Sequence, residues 1–490
     1  MIDEAREREV VGAVPTQLFI DGAWISAEED ATFEVEDPST LEILAEVADA
    51  SPADGLRALK AAADAQSTWA ATAPRHRSEI LRRAYELIME RQEDLAVLMT
   101  LEMGKPLSEA MGEVAYAAEF FRWFSEEAVR VDGGFAVAPN GQGRLLVMRE
   151  PVGPCLLITP WNFPLAMGTR KIGPAIAAGC TMVVKPAHQT PLSTLALADI
   201  MVEAGLPAGV LNVITTSHAG QVMEPMIRDG RARKLSFTGS TAVGRILLEQ
   251  CAANVMRTSM ELGGNAPFIV FDDADLGDAV EGAILAKMRN IGEACTAANR
   301  LYVQSSVAEE FSRRLGERMG ALPVGRGVED GVVVGPLIDA DALDKVSSLV
   351  DDAVSRGAEV VVGGSPLERD GHYYPATVLT GVPPEARIRT EEIFGPVAPV
   401  ATFETEDEVV DLANDTEYGL VAYVFTRDLD RALRVCERLD TGMIGLNQGI
   451  VSNPAAPFGG VKQSGLGREG GRSGIEEFLE TKYVAIATKG

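Results

Sequence analysis

The chain has 490 residues, room for two or three domains at a norm of ~150 residues each, with cores large enough to fold without covalent staples. Hydrophobic residues make up 46% and charged residues 24%, the balance of a packed globular protein and not of a disordered one. With 72 acidic against 44 basic residues the formal net charge is −28, a field that repels phosphate backbones and anionic lipid headgroups and so argues against nucleic-acid and membrane partners.

The N-terminal stretch MIDEAREREVVGAVP mixes charges and holds no apolar leader core, and no segment approaches ~18 continuous apolar residues, so a cytoplasmic protein is expected. From Ser51 to Glu90 the pattern is helical: Ser51-Pro52-Ala53-Asp54 supplies an N-cap with proline in the first turn, and Ile80, Leu81, Ala84, Leu87 and Ile88 form an apolar stripe that should pack on a sheet. The sheet is predicted from short apolar runs at Cys155–Ile158, Thr181–Val184, Val210–Ile214 and Lys234–Phe237, which alternate with helix-like segments as a βαβ series does. Continuous apolar runs mark strands covered on both faces, hence a parallel, doubly wound sheet. Such sheets bind ligands beyond the carboxyl ends of their strands, where Thr159-Pro160, Lys185-Pro186 and Thr238-Gly239-Ser240 all fall.

The alternation resumes through Ala266–Phe271, Glu359–Val362, Val397–Val400 and Val421–Val424, predicting a second α/β unit that starts near Glu261. Val131 to Arg149 reads as a hairpin interrupting the first unit, and Lys482 to Thr488 as a further strand; protruding edges of this kind invite subunit pairing.

Several short segments carry chemistry. Phe237 to Arg245 places a Gly-x4-Gly turn between a strand and an amphipathic helix, where free N–H groups can face a pyrophosphate; taken alone it is also an ordinary structural turn. The five cysteines (Cys155, Cys180, Cys251, Cys295 and Cys436) are far apart and odd in number, which fits neither a disulfide framework nor a CxxC site, and four histidines without ligand spacing give no metal site. Cys295, in Asn290 to Arg300, taken alone reads as a small buried hydrophobe. Glu261, in Met260 to Asn265, follows a helical run and reads as solvated, and Asn162 sits between Pro160 and Pro164 as a turn residue would.

Their joint order is more specific. PWNFP, KPA, FTGS, ELGG, the Cys295 segment and EEIFGP occur in succession, and this set resembles the aldehyde dehydrogenase superfamily from about Pro15 to the C-terminus. The resemblance implies a Rossmann-like dinucleotide-binding domain (residues 1–130 and 150–260), a catalytic domain (261–445) and oligomerisation strands (131–149 and 478–490) in a homodimer or homotetramer. It implies further that Cys295 attacks an aldehyde as a thiolate of lowered pKa, and that the Asn162 amide and the Cys295 N–H hold the oxyanion. Glu261 corresponds to the base that hydrolyses the thioester; relatives that pass the acyl group to coenzyme A lack it, so a free acid is the expected product. Glu469 matches a further family carboxylate with either a proton-passing or an ion-paired role.

By the same resemblance the cofactor is NADP or NAD. Thr159, Pro160 and Trp161 line its cleft, Lys185 reaches the adenosine ribose, Gly239 and Ser240 the pyrophosphate, Leu262 the nicotinamide region, and Glu392 with Phe394 the nicotinamide ribose. His188 stands where NAD-preferring relatives carry a glutamate that repels a 2′-phosphate, so NADP should be accepted, helped by any positive charge on the histidine. Arg170 and Arg289 match the arginines that bind substrate carboxylate in succinate-semialdehyde dehydrogenases, Ser452 their third contact and Phe458 the aromatic wall. Paired guanidiniums would select an aldehyde with a distal acid, succinate semialdehyde first and glutarate or adipate semialdehyde, or a broader range, as alternatives. Ala297 stands where many of these relatives carry a second cysteine, so a disulfide switch between those two positions is impossible. Phe120, Phe121, Trp123 and Phe124 on a predicted helix read as core. An alternative of another class is a noncatalytic dinucleotide-binding or structural protein on the same fold.

Overall fold

The computed structural model describes residues 2–488; Met1 and the last two residues of the strand expected over 478–490 lie outside them. Five parallel strands form the centre of an eight-stranded sheet, in the order Arg257–Glu261, Lys234–Thr238, Cys155–Ile158, Met182–Lys185 and Leu211–Val213. Chain order therefore reverses between Cys155–Ile158 and Lys234–Thr238, the switch point at which a doubly wound sheet opens a crevice. Antiparallel strands close both edges, Gly465–Leu466 on one side and Leu18–Ile20 with Ala23–Ile25 on the other.

The apolar runs arise because both faces are covered. Cys155 and Leu157 enter one core while Leu156 and Ile158 enter the opposite one, and Met182 and Val184 alternate with Val183 in the same way. Lys234–Thr238 differs: Leu235 and Phe237 fill one face, whereas Lys234 and Ser236 put buried polar groups on the other.

The helical segment predicted from Ser51 to Glu90 is two helices, Pro52–Ala70 and Pro74–Glu90, because Pro74 offers no N–H to continue the first. Ser51 and Asp54 make a reciprocal capping box at the first helix, worth about 1 kcal/mol. Pro52–Ala70 packs on the sheet as expected. The stripe Ile80, Leu81, Ala84, Leu87 and Ile88 is buried, but chiefly against the helices Leu107–Glu127, Ala166–Ala178 and Leu192–Glu203.

A second sheet of seven strands runs Glu359–Val362, Thr377–Thr380, Val397–Phe403, Ala298–Gln304, Ala266–Val270, Val421–Phe425 and Met443–Leu446, parallel throughout except at Glu359–Val362. Gly134–Val137 and Arg144–Pro151 form the expected hairpin, and Leu479–Ile486 joins it as an antiparallel third strand. Glu261 ends the strand Arg257–Glu261 and does not follow a helix. Among the described residues no helix is long and apolar enough to cross a membrane.

Candidate active site

The carboxyl ends of the first sheet face the amino ends of the second across a cavity of about 330 Å³. Pro160, Trp161, Asn162, Gly239, Ser240, Glu261 and Leu262 line it from the first side, and Arg289, Cys295, Glu392 and Phe394 from the second. Arg170 enters from the helix Ala166–Ala178, and Ser452 and Phe458 from the segment following the last parallel strand. Thr159, Lys185 and His188 do not line this cavity and lie beside it at the ends of two strands.

Cys295 sits on a loop held in costly backbone geometry. Asn290, Ile291 and Gly292 take φ of +53°, +61° and +81°, and a β-branched residue such as Ile291 is rarely left-handed. Tertiary bonds over-determine the turn. The Asn290 N–H donates to Glu109 Oε2 (2.6 Å), its side-chain amide donates to the carbonyls of Asn162 and Glu293 (3.0 and 2.9 Å), and Ile338 N–H donates to Glu293 Oε1 (3.2 Å). At Gly292 a Cβ would lie 2.2 Å from the Gly395 carbonyl oxygen, so only glycine fits.

Burial pushes the Cys295 thiol up to about 12, with Arg170 and Arg289 pulling it down and Glu392 and Glu261 pushing it further. The expected lowered pKa is therefore not a property of the polypeptide by itself, because burial outweighs the two guanidiniums, which two nearby carboxylates also offset. The Asn162 side-chain amide donates one N–H to the Glu293 carbonyl (2.9 Å), leaving its second N–H available beside the thiol loop. Glu261 is buried, its Oε2 lacks a partner, and burial together with the charge of Glu469 holds its carboxyl well above the ordinary range.

The two arginines differ. Arg170 is 1% exposed, lies over the Phe458 ring (4.3 Å) and pairs with Glu469 at 2.5 Å, which also binds Lys171. Glu469 is thus an ion-paired carboxylate, and despite its burial Lys171 and Arg170 hold it below the usual range. Arg170 Nη2 is buried without a hydrogen-bond partner. Arg289 donates to Ser452 Oγ (3.0 Å) and lies against the rings of Phe163 (4.9 Å) and Tyr116 (5.7 Å). Among the described residues no carboxylate lies within ion-pairing distance of it, although the buried Glu109 is near enough for Arg289 to favour its ionised form.

The residues expected to hold a dinucleotide fit one. The Lys185 ammonium is buried without a carboxylate or hydrogen-bond partner among the described residues, and burial lowers it to about 8; it lacks an acceptor such as a ribose hydroxyl. Thr159 and Thr238 present buried hydroxyls without partners at the neighbouring strand ends. Ser240 caps the helix Thr241–Ala252, whose first N–H groups face the crevice end of the strand, while the Gly239 N–H is already given to the Glu261 carbonyl (3.0 Å). Trp161 meets Phe394 edge-on (5.4 Å), and Glu392 accepts from the Gly264 N–H (3.0 Å). His188 is exposed, and partial desolvation and Lys185 lower its pKa, so it adds little positive charge near neutral pH.

A family model described as "Aldehyde dehydrogenase family" matches residues 24–484. The chain belongs to the aldehyde dehydrogenase family. It is 60% identical over 445 residues to a succinate-semialdehyde dehydrogenase of Paenarthrobacter nicotinovorans, covering 91% of this chain and 99% of the relative. It is 51% identical over 471 residues to a glutarate-semialdehyde dehydrogenase of Pseudomonas putida, covering 96% and 98%. A crystal structure of an E. coli NADP-dependent enzyme superposes with a TM-score of 0.96 at 49% identity, covering 100% of both chains.

Sequence reasoning missed several lining groups. Tyr116 lies one helical turn before Phe120, against which it packs edge-on (4.9 Å), so the aromatic that reaches the cavity precedes the cluster read as core. Phe120, Phe121 and Phe124 are buried in that core as expected. Phe163 and Met167 also line the cavity, and their one- and five-residue separation from Asn162 was the available signal.

Proposed function

We propose that the enzyme oxidises a short aldehyde bearing a distal carboxylate, succinate semialdehyde first, to the acid with NADP or NAD, through a thioester on Cys295. One observation carries the substrate class: Arg289 is a guanidinium with no carboxylate partner, bonded to Ser452 in the cavity that holds Cys295. A protein does not leave such a charge half-buried without cause, and a substrate carboxylate would complete it. Arg170, which also lines the cavity, offers a second contact.

Cys295 Sγ attacks the aldehyde carbon, and the second N–H of the Asn162 amide with the Cys295 N–H holds the oxyanion. When bound, NADP or NAD supplies the hydride acceptor and a positive nicotinamide ring that favours the thiolate. Glu261, its carboxyl held well above the ordinary range by burial and by Glu469, takes in its ionised form the proton of the water that hydrolyses the thioester. Thr159, Pro160, Trp161, Lys185, Gly239, Ser240, Leu262, Glu392 and Phe394 would hold the dinucleotide. Acceptance of NADP is supported by the absence of a carboxylate at His188, not by charge on its ring.

We assign residues 1–130 and 150–260 to dinucleotide binding, 261–445 to catalysis, and 131–149 with 478–490 to oligomerisation. The exposed Phe135, Val137 and Tyr483 on the three-stranded sheet support a homodimer or homotetramer, and a cytoplasmic location rests on the sequence reading alone. A longer semialdehyde is the second reading, favoured by the 51% identical glutarate-semialdehyde relative. The test follows NADPH and NADH formation from succinate semialdehyde, its longer homologues and uncharged aldehydes of matched length. The reading fails if an uncharged aldehyde is the best substrate.

A further inference from the structure

The Asn162 backbone carbonyl receives two donors from opposite sides. Lys105 Nζ donates to it at 2.8 Å, and the Asn290 side-chain amide at 3.0 Å. Lys105 is fully buried on the turn between the helices Gln92–Met103 and Leu107–Glu127, far in sequence from both Asn162 and Cys295. Its ammonium pairs with buried Glu113 and lies over the Phe163 ring (4.3 Å). Glu113 in turn accepts the N–H groups of Leu165 and Ala166 (3.1 Å each), at the start of the helix that carries Arg170.

Asn290 ties the same carbonyl to the nucleophile loop. Its two amide protons go to Asn162 and Glu293, and the Glu293 carbonyl also receives the Asn162 side-chain amide (2.9 Å). Asn162 is thereby fixed at both ends, its peptide by Lys105 and Asn290 and its side chain by Glu293. All five side chains are buried, so no water is on hand to replace a lost bond.

We infer that Lys105 and Asn290 are positioning residues for aldehyde oxidation: by donating together to the Asn162 carbonyl they fix the peptide whose side-chain amide must meet the oxyanion. This rests on the oxyanion role given to Asn162 above. A charged donor at 2.8 Å is stronger than a neutral one, and pre-orientation matters because a donor stabilises the transition state only if it is already aimed when charge develops. The Lys105–Glu113 pair is needed because an ammonium cannot be buried alone. Glu113 also anchors the following helix turn, so the segment Asn162–Ala166 is held as a unit.

The experiment compares first-turnover NADPH formation with Cys295 alkylation by iodoacetamide, since alkylation of the thiol builds no oxyanion. Lys105→Met/Glu113→Gln removes the ammonium while keeping an acceptor for Leu165 and Ala166; Asn290→Asp removes both donors at constant shape. Each variant is expected to slow the first turnover roughly tenfold to a hundredfold, a part of the 10²–10³ lost with a whole oxyanion donor. The aldehyde KM, the NADP affinity and the alkylation rate should stay within about twofold of the parent. Equal losses in alkylation and turnover would mean collapse of the loop and overturn the inference, as would turnover that is unchanged. Asn162→Ala separates the two levels: if it leaves the first turnover intact, the oxyanion role itself fails; if it alone slows it, only the positioning role fails.

Discussion

Arg289→Met is the cleanest test of substrate choice. The methionine keeps the apolar stem against Phe163 and Tyr116 and removes only the guanidinium, whose protein partner is the Ser452 hydroxyl at 3.0 Å. No carboxylate lies within ion-pairing distance of Arg289, and the buried Glu109 whose ionised form it favours keeps the Asn290 N–H and the charge of Lys105, so its loss should disturb the fold less than loss of Arg170. A hydrogen bond to a charged group contributes about 1.5–3 kcal/mol. With one nitrogen kept by Ser452, the remaining fork can give a substrate carboxylate a contact worth about 3 kcal/mol, or about 150-fold in kcat/KM. The contact lies away from the reacting carbon and is equal in ground and transition states, so the loss should appear in KM with kcat nearly constant. Succinate semialdehyde should therefore lose roughly two orders of magnitude while butanal, of the same length without the charge, should lose at least about tenfold less, its loss reflecting only the pull of Arg289 on the thiol. Steady-state NADPH formation with both aldehydes gives the ratio directly. An unchanged ratio would refute the assignment. Arg170→Met is a poorer test, because it leaves Glu469 buried with Lys171 alone and confuses lost binding with a destabilisation of about 3–5 kcal/mol.

Four further outcomes follow from the site. With the thiol at about 12, only about 10⁻⁵ of Cys295 is thiolate at pH 7, so alkylation of the cofactor-free enzyme should rise roughly tenfold per pH unit up to about pH 10, and added NADP should accelerate it at fixed pH. The Glu261 carboxyl is raised in the folded state, so its contribution to stability is complete below the ordinary value of 4.5 and is lost as pH climbs through the folded value. Glu261→Gln should accordingly melt higher than the parent at about pH 9 but not at about pH 4, while kcat falls by roughly 10²–10⁴ and acyl-enzyme accumulates in mass spectra. Gly292→Ala, forced against the Gly395 carbonyl, should abolish the first-turnover burst even in protein that remains folded by circular dichroism. His188→Glu should lower kcat/KM for NADP about tenfold or more with that for NAD unchanged, read from parallel NADPH and NADH assays.

The parallel strands were legible where both faces are apolar, as at Cys155–Ile158 and Met182–Lys185. They were hidden where a strand buries polar groups that only the tertiary structure satisfies. Arg257–Glu261 carries Ser259, which binds Lys234 and Glu477 (2.9 Å), so its sequence lacks the apolar signature although its last three residues are buried. Ala298–Gln304 likewise carries Asn299, bonded to Lys287, and Arg300, bonded to the carbonyls of Asn265, Leu412 and Ala413. The site shows the same split. Cys295, Asn162 and Glu261 stand in recognisable segments, whereas Lys105, Glu109 and Glu113 reach them from a helix pair distant in sequence, where a buried charge and a solvated one look alike.

The charges around Cys295 also say where the driving force of the first step lies. Arg170 and Arg289 both pull on the thiol, Arg170 the more strongly, but Arg170 is paired with Glu469 whereas Arg289 has no ion-pair partner. A substrate carboxylate seated on Arg289 would cancel its share of that pull at the moment the thiol must react. Substrate recognition and thiol activation thus draw on the same charge and oppose each other. Attack must then be favoured by groups the carboxylate does not touch. Those are the positive nicotinamide of the bound cofactor, which favours loading it before the aldehyde, and the Asn162 amide, which acts on the oxyanion and not on the thiolate. An oxyanion donor braced by two buried hydrogen bonds is what a cysteine with so high a resting pKa requires.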